Sequence, residues 1–381
     1  MDSGPQSPLE PASPPKPQTD AIYADLIDDD APIPTQEQGS TVLYVGNPLH
    51  NLSYTVGQRR LSDPQRPLHY FVVGESATGR VVAENEAPRT LTMSNNDHLP
   101  PKAVQDELVR IYFSVFQPSY PFLDRSHFIG LYNTGEFTVV GSSRSLSLML
   151  LQAVFLTAFT HCSTSVVQSA GFQSRIDAKV TYFRRTKALW DAALETDRLI
   201  NIQVLLLLQF WWDSPTEQKD SIFWLNMAIS LAQGCGMHRS TACSGLPDHQ
   251  RRLWTRIWAC LRLRDAQLAT ALGRPLHLHS EDCDVEPLDV SIFLEDNDLQ
   301  MDEPLVGRST HLEKLYFLNM SKLSNIAGLI SQGHRPRGAD GKLAEARTTL
   351  REWYQSLETE LQLGAGYHVE FWVKFLHIYY K

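Results

Sequence analysis

The sequence predicts an all-α, multi-helix domain preceded by a disordered, acidic and proline-rich N-terminal segment. Three observations point there. From Pro101 onward, apolar residues recur at i, i+3, i+4 and i+7 through one long segment after another. Glycine and proline punctuate those segments where helices start and stop. Residues 1–40 are rich in Pro, Ser, Asp and Gln and poor in aromatics. Such a stretch buries too little apolar surface to offset its ordering entropy.

Taken in order, residues 1–40 read as a disordered Pro/acidic tail and residues 41–102 as an extended linker segment. Within the linker, "TVLYVG" and "LHYFVVG" each have the composition of a short strand, and Gly46, Pro48, Pro64 and Pro67 break up the rest. Residues 103–381 read as one helical domain. "AVQDELVRIYFSVF" is its first amphipathic helix, stopped by the two prolines of "QPSYPFLDRSHF". Helices are expected over 144–162, 171–196 and 199–212. Ser214 and Glu217 form a capping box around Pro215, and Trp224, Met227, Ala228 and Leu231 then make one apolar face, ended by Gly234 and Gly236. Further helices are expected over 249–271, 309–331, 341–362 and 367–380.

With 381 residues, 43% apolar and 20% charged, the chain has ample material for a core. Its net charge of −9 gives a field that repels polyanions. The five cysteines (Cys162, Cys235, Cys243, Cys260, Cys283) are odd in number and widely spaced, which argues for a reducing compartment rather than a disulfide framework. The N-terminus has neither a basic region nor an apolar run, so it is not read as a signal peptide. The longest apolar stretch, "LSLMLLQAVFLTAF", is shorter than the roughly 20 residues of a bilayer span.

"RRLWTRIWACLRLRDAQLATALGRP" (251–275) raises the question of nucleic-acid binding. With Arg251 at 0°, Arg262, Arg252, Arg256 and Arg264 fall at about 20°, 100°, 140° and 220° around a helix. A groove-reading helix gathers its cations on one face, and these are dispersed. Trp254, Trp258 and Leu261 cluster between about 280° and 340°, with Asp265 at about 320° in the same stripe. A carboxylate there needs a partner, and an arginine such as Arg274 is the expected one. The segment therefore reads as a core helix with internal ion pairs.

"HLHSEDCD" offers His277, His279, Glu281, Asp282, Cys283 and Asp284, residue types that can ligate zinc or iron. Neighbouring residues alternate direction and no matching half lies elsewhere, so a polar loop is the preferred reading. His161 with Cys162 and Asp124 with His127 are scattered pairs of the same kind. No nucleophile-elbow, phosphate-loop, dinucleotide or metalloprotease motif is present. No catalytic, cofactor-binding or metal residue is assigned, and no enzyme is expected.

Three ordered blocks resemble the fungal-specific transcription factor domain, the all-helical middle homology region that follows the binuclear zinc cluster in fungal activators, and its cutinase-activator-like branch in particular. They are "PSYPFLDRSHF" (118–128), "FWWDSPTEQKDSIFWLNMAISLAQGCGMHRS" (210–240) and "RRLWTRIWACLRLRDAQLATALGRPLHLHSEDCDVEPL" (251–288). The resemblance runs from about residue 40 to the end and implies a nuclear transcription regulator of a metabolic gene set, biosynthetic or catabolic. "DLIDDDAPIP" mixes acid and apolar residues as activation segments do, with a solvated acidic tail as the plainer reading.

One departure is sharp. The family's zinc module needs six N-terminal cysteines, and no cysteine here precedes Cys162, while residues 1–102 carry seven Lys and Arg against thirteen Asp and Glu. Zinc, expected in full-length relatives, is not expected as a cofactor of these residues. The expectation is a regulatory domain separated from its DNA reader and shortened at its C-terminus. It reaches DNA only indirectly through protein partners, as a homo- or heterodimer, and takes a small-molecule effector. The alternative is an interaction protein that modulates full-length zinc-cluster regulators. Phe371, Trp372, Phe375, Ile378 and Tyr379 form a terminal apolar stripe that either meets a partner or packs into the core.

Overall fold

The structure is a computed structural model that describes residues 41–44, 70–73, 99–142, 144–212, 218–242, 244–294, 305–333, 339–363 and 370–380. The chain divides into two units, Met1–Ala87 and Pro88–Lys381. In the first, β1 (Thr41–Tyr44) pairs antiparallel with β2 (Tyr70–Val73), Thr41 opposite Val73 and Tyr44 opposite Tyr70. Both strands coincide with the two β-rich runs of the sequence. The tail over 1–40 lies outside the described residues.

The second unit is all-α, with eleven α-helices among the described residues. α1 (Lys102–Ile111) runs on through a π-helical turn, Tyr112–Phe116, which buries Tyr112, Phe113 and Phe116. Pro118 and Pro121 then turn the chain, as expected. A helix that the periodicity does not signal comes next. Asp124 accepts the His127 N–H at 2.9 Å and starts α2 (Arg125–Thr134). Gly135, at φ 71°, closes it.

The apolar run is a helix buried on every side. All residues of α3 (Leu148–Ala158) are buried, because α1 and two later helices, α5 (Arg175–Asp191) and α6 (Arg198–Leu208), pack around it. It begins later than 144, since Leu146–Ser147 (β4) first pairs in parallel with Phe137–Thr138 (β3). The short α4 (Thr164–Ser169), capped by Ser163, was likewise not expected. α5 (Arg175–Asp191) and α6 (Arg198–Leu208) start at the caps Ser174 and Asp197 and occupy the expected segments.

The Ser214–Glu217 capping box and Pro215 lie outside the described residues. The helix expected there, α7, spans Ser221–Cys235 and is capped by Asp220, which accepts the Phe223 N–H at 2.9 Å. Trp224 and Ala228 of its predicted face are buried, and Met227 and Leu231 partly so. Gly236, at φ 83°, closes it, while Gly234 remains helical.

α8 (Asp248–Leu272) is the longest helix and packs between α7 and α9 (His311–Gly333). α10 (Ala339–Gln355) and α11 (Phe371–Tyr380) both pack on α9. The helix expected over 341–362 ends early, and a short 3-10 turn, Thr359–Leu361, succeeds it. No helix among the described residues is long and apolar enough to cross a membrane.

Candidate functional site

Two arginines of α8, Arg256 and Arg264, are engaged within the domain. The Arg264 guanidinium lies 4.4 Å from the Phe210 ring centroid, with Nε donating to Gln209 Oε1 at 3.0 Å and Nη1 to Gln267 Oε1 at 2.9 Å. Tyr120 OH donates to the same Gln267 oxygen at 2.8 Å. Residues of all three sequence blocks meet on this one side chain. Its partners are amide oxygens and rings, not the carboxylates expected. Arg251 pairs with Asp248 one turn before it at the helix start. Arg256 is buried. Trp258, 1% exposed, and Leu261 are buried beside them, so the helix offers no continuous basic face.

Asp265 is buried, 2% exposed, as its place on the tryptophan stripe required. Its partner is not an arginine. Oδ2 accepts the backbone N–H of Leu278 at 2.8 Å and of His277 at 3.0 Å, and Oδ1 lies 3.3 Å from His277 Nδ1. Arg274 pairs instead with Asp220 at 3.1 Å. The reason is local. Gly273, at φ 62°, reverses the chain, so residues 276–278 fold back along α8, and Leu276 packs on Ala266 and Ala269. The backbone donors of that return are nearer than any arginine head group. Burial pushes the Asp265 carboxyl up from its ordinary value, and the Leu278 and His277 bonds pull it partly back.

Residues 279–286 serve the same internal role. Asp284 pairs with Arg239 at 2.9 Å and accepts the Ser240 N–H at 2.7 Å, and the Ser240 hydroxyl donates to Glu286 at 2.5 Å. The "MHRS" end of the second block is thereby tied to the "DCDVEP" end of the third. Cys283 Sγ donates to His279 O at 3.3 Å, and burial raises its thiol, favouring the protonated form over the thiolate a metal needs. Among the described residues, no group of three or more His, Cys, Asp or Glu is placed to hold a metal.

A cavity of about 210 Å³ lies where the first block, α8 and the start of α9 converge. Pro118, Pro121 and Arg125 come from the first block and Gln117 immediately precedes it, while Arg256 comes from α8 and Phe293 from a 3-10 turn. Arg308, Ser309, Glu313 and Lys314 complete it. Arg125 and Arg256 are buried, whereas Arg308 is exposed and Lys314 half-buried. Arg125 Nη1 donates to Val306 O at 2.5 Å and Gly307 O at 3.2 Å, which ties the approach of α9 to α2. Sequence reading assigned none of these residues to a site. Only the Thr310–Glu313 capping box, which places Glu313 at the start of α9, left a local signal.

The terminal stripe divides. On α11, Val373, Leu376 and His377 are buried against the domain, and the His377 ring bonds Leu361 O at 2.9 Å. Trp372 and Tyr379 are partly buried, Trp372 beside Tyr316 at 5.0 Å. Phe371, Phe375 and Ile378, at i, i+4 and i+7, remain exposed at 61%, 40% and 69%.

The three sequence blocks thus meet at Arg264 within an all-α body. The fungal specific transcription factor domain matches residues 109–363, and the chain belongs to that family. Cutinase transcription factor 1 alpha of Fusarium vanettenii is 35% identical over 74% of this chain and 30% of its own length. The acetamidase regulatory protein of Aspergillus fumigatus is 29% identical over 93% of this chain and 43% of its own. The fusaric acid cluster transcription factor FUB12 of Gibberella moniliformis is 25% identical, over 71% of this chain and 40% of its own. The chain thus spans less than half the length of these relatives. No solved structure matches it. The family and these relatives are transcription regulators, not enzymes.

Proposed function

We propose that these residues form the regulatory body of a nuclear fungal transcription regulator that controls a metabolic gene set and reaches DNA through a reader outside them. That reader is a zinc cluster in a longer chain or on a DNA-bound partner. The observation that carries this reading is the fate of the arginine helix. In the most basic segment of the family's blocks, Arg264 turns to Gln209, Gln267 and Phe210 and Arg256 is buried, which supports a helix whose cations are not gathered on one outward face.

The exposed Phe371, Phe375 and Ile378 of α11 support a second element, association with protein partners. The relatives' names, which refer to cutinase, acetamidase and a fusaric acid cluster, support metabolic genes as the target class. A chain that modulates full-length zinc-cluster regulators is the alternative, favoured by the same exposed face.

A reporter assay tests the proposal. Fused to a heterologous DNA-binding domain, the chain is expected to change transcription from the cognate site. Unfused, in cells lacking its own gene, it should act only where a zinc-cluster protein co-purifies at the promoter. A silent fusion contradicts the regulatory reading, and an unfused chain that works with no such protein contradicts the need for a reader.

A further inference from the structure

We propose that His161, Arg175 and Lys179, where the end of α3 meets the start of α5, bind a phosphate monoester carried by a phosphorylated partner protein. The site is separate from the exposed face of α11, and binding there does not depend on the regulatory role above. In sequence, His161 beside Cys162 is only a scattered pair; packing gives it company. The Phe159 ring, two residues before His161, stacks on Tyr182 at 5.2 Å and meets Phe172 edge-on at 5.8 Å. Those contacts hold the end of α3 against the first turns of α5.

With Arg175 at 0° on α5, Lys179 falls at about 40°, and the buried Ala178 and Tyr182 at about 300° and 340°. Both cations therefore border the face that α5 turns to α3. Arg175 reaches the sulfur of Cys162, which is itself buried and donates to Phe159 O at 3.5 Å. His161 and Arg175 are exposed, whereas Lys179 is half-buried with its ammonium 5.7 Å from the Trp211 ring centroid.

The cluster has no counter-charge. Among the described residues no carboxylate pairs with Arg175 or Lys179. Asp177 falls at about 200° on α5, roughly 160° round from Lys179. Its Oδ2 accepts the Ser174 hydroxyl at 2.8 Å. Glu107 of α1 is tied to Arg110, whose Nε donates to Oε2 at 2.8 Å. Partial burial, then the Lys179 ammonium and the Arg175 guanidinium, pull the His161 ring below its ordinary range, and burial does the same to Lys179.

A half-buried charge with no partner is costly, and a bound anion removes that cost. A phosphate monoester brings a charge of about −1.5 to −2 and three acceptor oxygens, enough to answer an ammonium, a guanidinium and an imidazole N–H together. A single carboxylate brings less charge and one oxygen fewer. Ile176, next to Arg175, and Trp212, next to Trp211, are exposed at 69% and 47%. They add apolar surface for the polypeptide on either side of the phosphate, which a free ion would not use.

Fluorescence anisotropy on the full chain at physiological salt tests the site. The probes are a degenerate peptide pool centred on phosphoserine, the same pool unphosphorylated, inorganic phosphate and duplex DNA. The phosphorylated pool is expected to bind at least about tenfold more tightly than the unphosphorylated one. Lys179→Gln and Arg175→Gln should each weaken it by about fivefold or more at unchanged Tm. Arg184→Gln removes an exposed cation about 180° round α5 from Arg175 and should leave binding as in the wild type. Equal binding of the two pools overturns the proposal. So does a Lys179→Gln variant that binds normally, or an Arg184→Gln variant that binds as poorly as Lys179→Gln. Inorganic phosphate that displaces the pool at equal concentration would mean a site for the free ion, and duplex DNA doing so a site for nucleic acid; either result also overturns it.

Discussion

Asp265→Ala is expected to lower stability by about 2–4 kcal/mol, because it strands the buried donors of His277 and Leu278 that the carboxylate now accepts. For a domain of this size that is a fall in Tm of roughly 5–10 °C. Glu352→Ala, on the exposed side of α10, should stay within about 0.5 kcal/mol of wild type. Equal Tm values for the two variants would mean that Asp265 is solvated. The pH dependence carries a sign. Burial raises the Asp265 carboxyl above its unfolded value, so the native state keeps the proton to higher pH than the unfolded chain does. Its contribution is therefore full in acid and shrinks as pH rises from about 4. The stability gap between wild type and Asp265→Asn should accordingly narrow as pH rises above about 4.

The second large effect lies on the same helix. Trp258→Ala should cost about 3–5 kcal/mol, since the ring is 1% exposed and fills the interior beside His238 at 5.8 Å. Arg251→Ala, which removes only a surface pair with Asp248, should cost no more than about 1 kcal/mol. Chemical denaturation of both variants orders them. A helix built to present its arginines outward would tolerate Trp258→Ala, and a loss below about 1 kcal/mol there would contradict the core assignment.

The periodicity of the sequence made the long helices legible because it records which face of each is buried. Trp258, Leu261 and Asp265 were placed correctly on the inner face of α8 by a 100° rotation per residue. What periodicity does not record is the partner. Asp265 is answered by backbone N–H groups brought back by Gly273, and Arg264 by side chains from Gln209, Phe210 and Tyr120. Those contacts depend on how the chain returns, which spacing alone does not encode. The short α2 escaped notice for the opposite reason. Two prolines signalled a stop, and the single cap at Asp124 that restarts the helix three residues after Pro121 was a weaker signal. The cavity was invisible in sequence because its cations come from residues 125, 256, 308 and 314, which only the packed helices bring together.

The arginine-rich helix packs within the domain rather than reading DNA, and fluorescence anisotropy with duplex DNA distinguishes the two roles. These 381 residues, titrated at physiological salt against a randomised duplex pool and promoter fragments, should show at most weak, sequence-indifferent binding. Sub-micromolar binding that prefers one sequence, and that is lost when Arg256 or Arg262 is replaced without loss of fold, would contradict it.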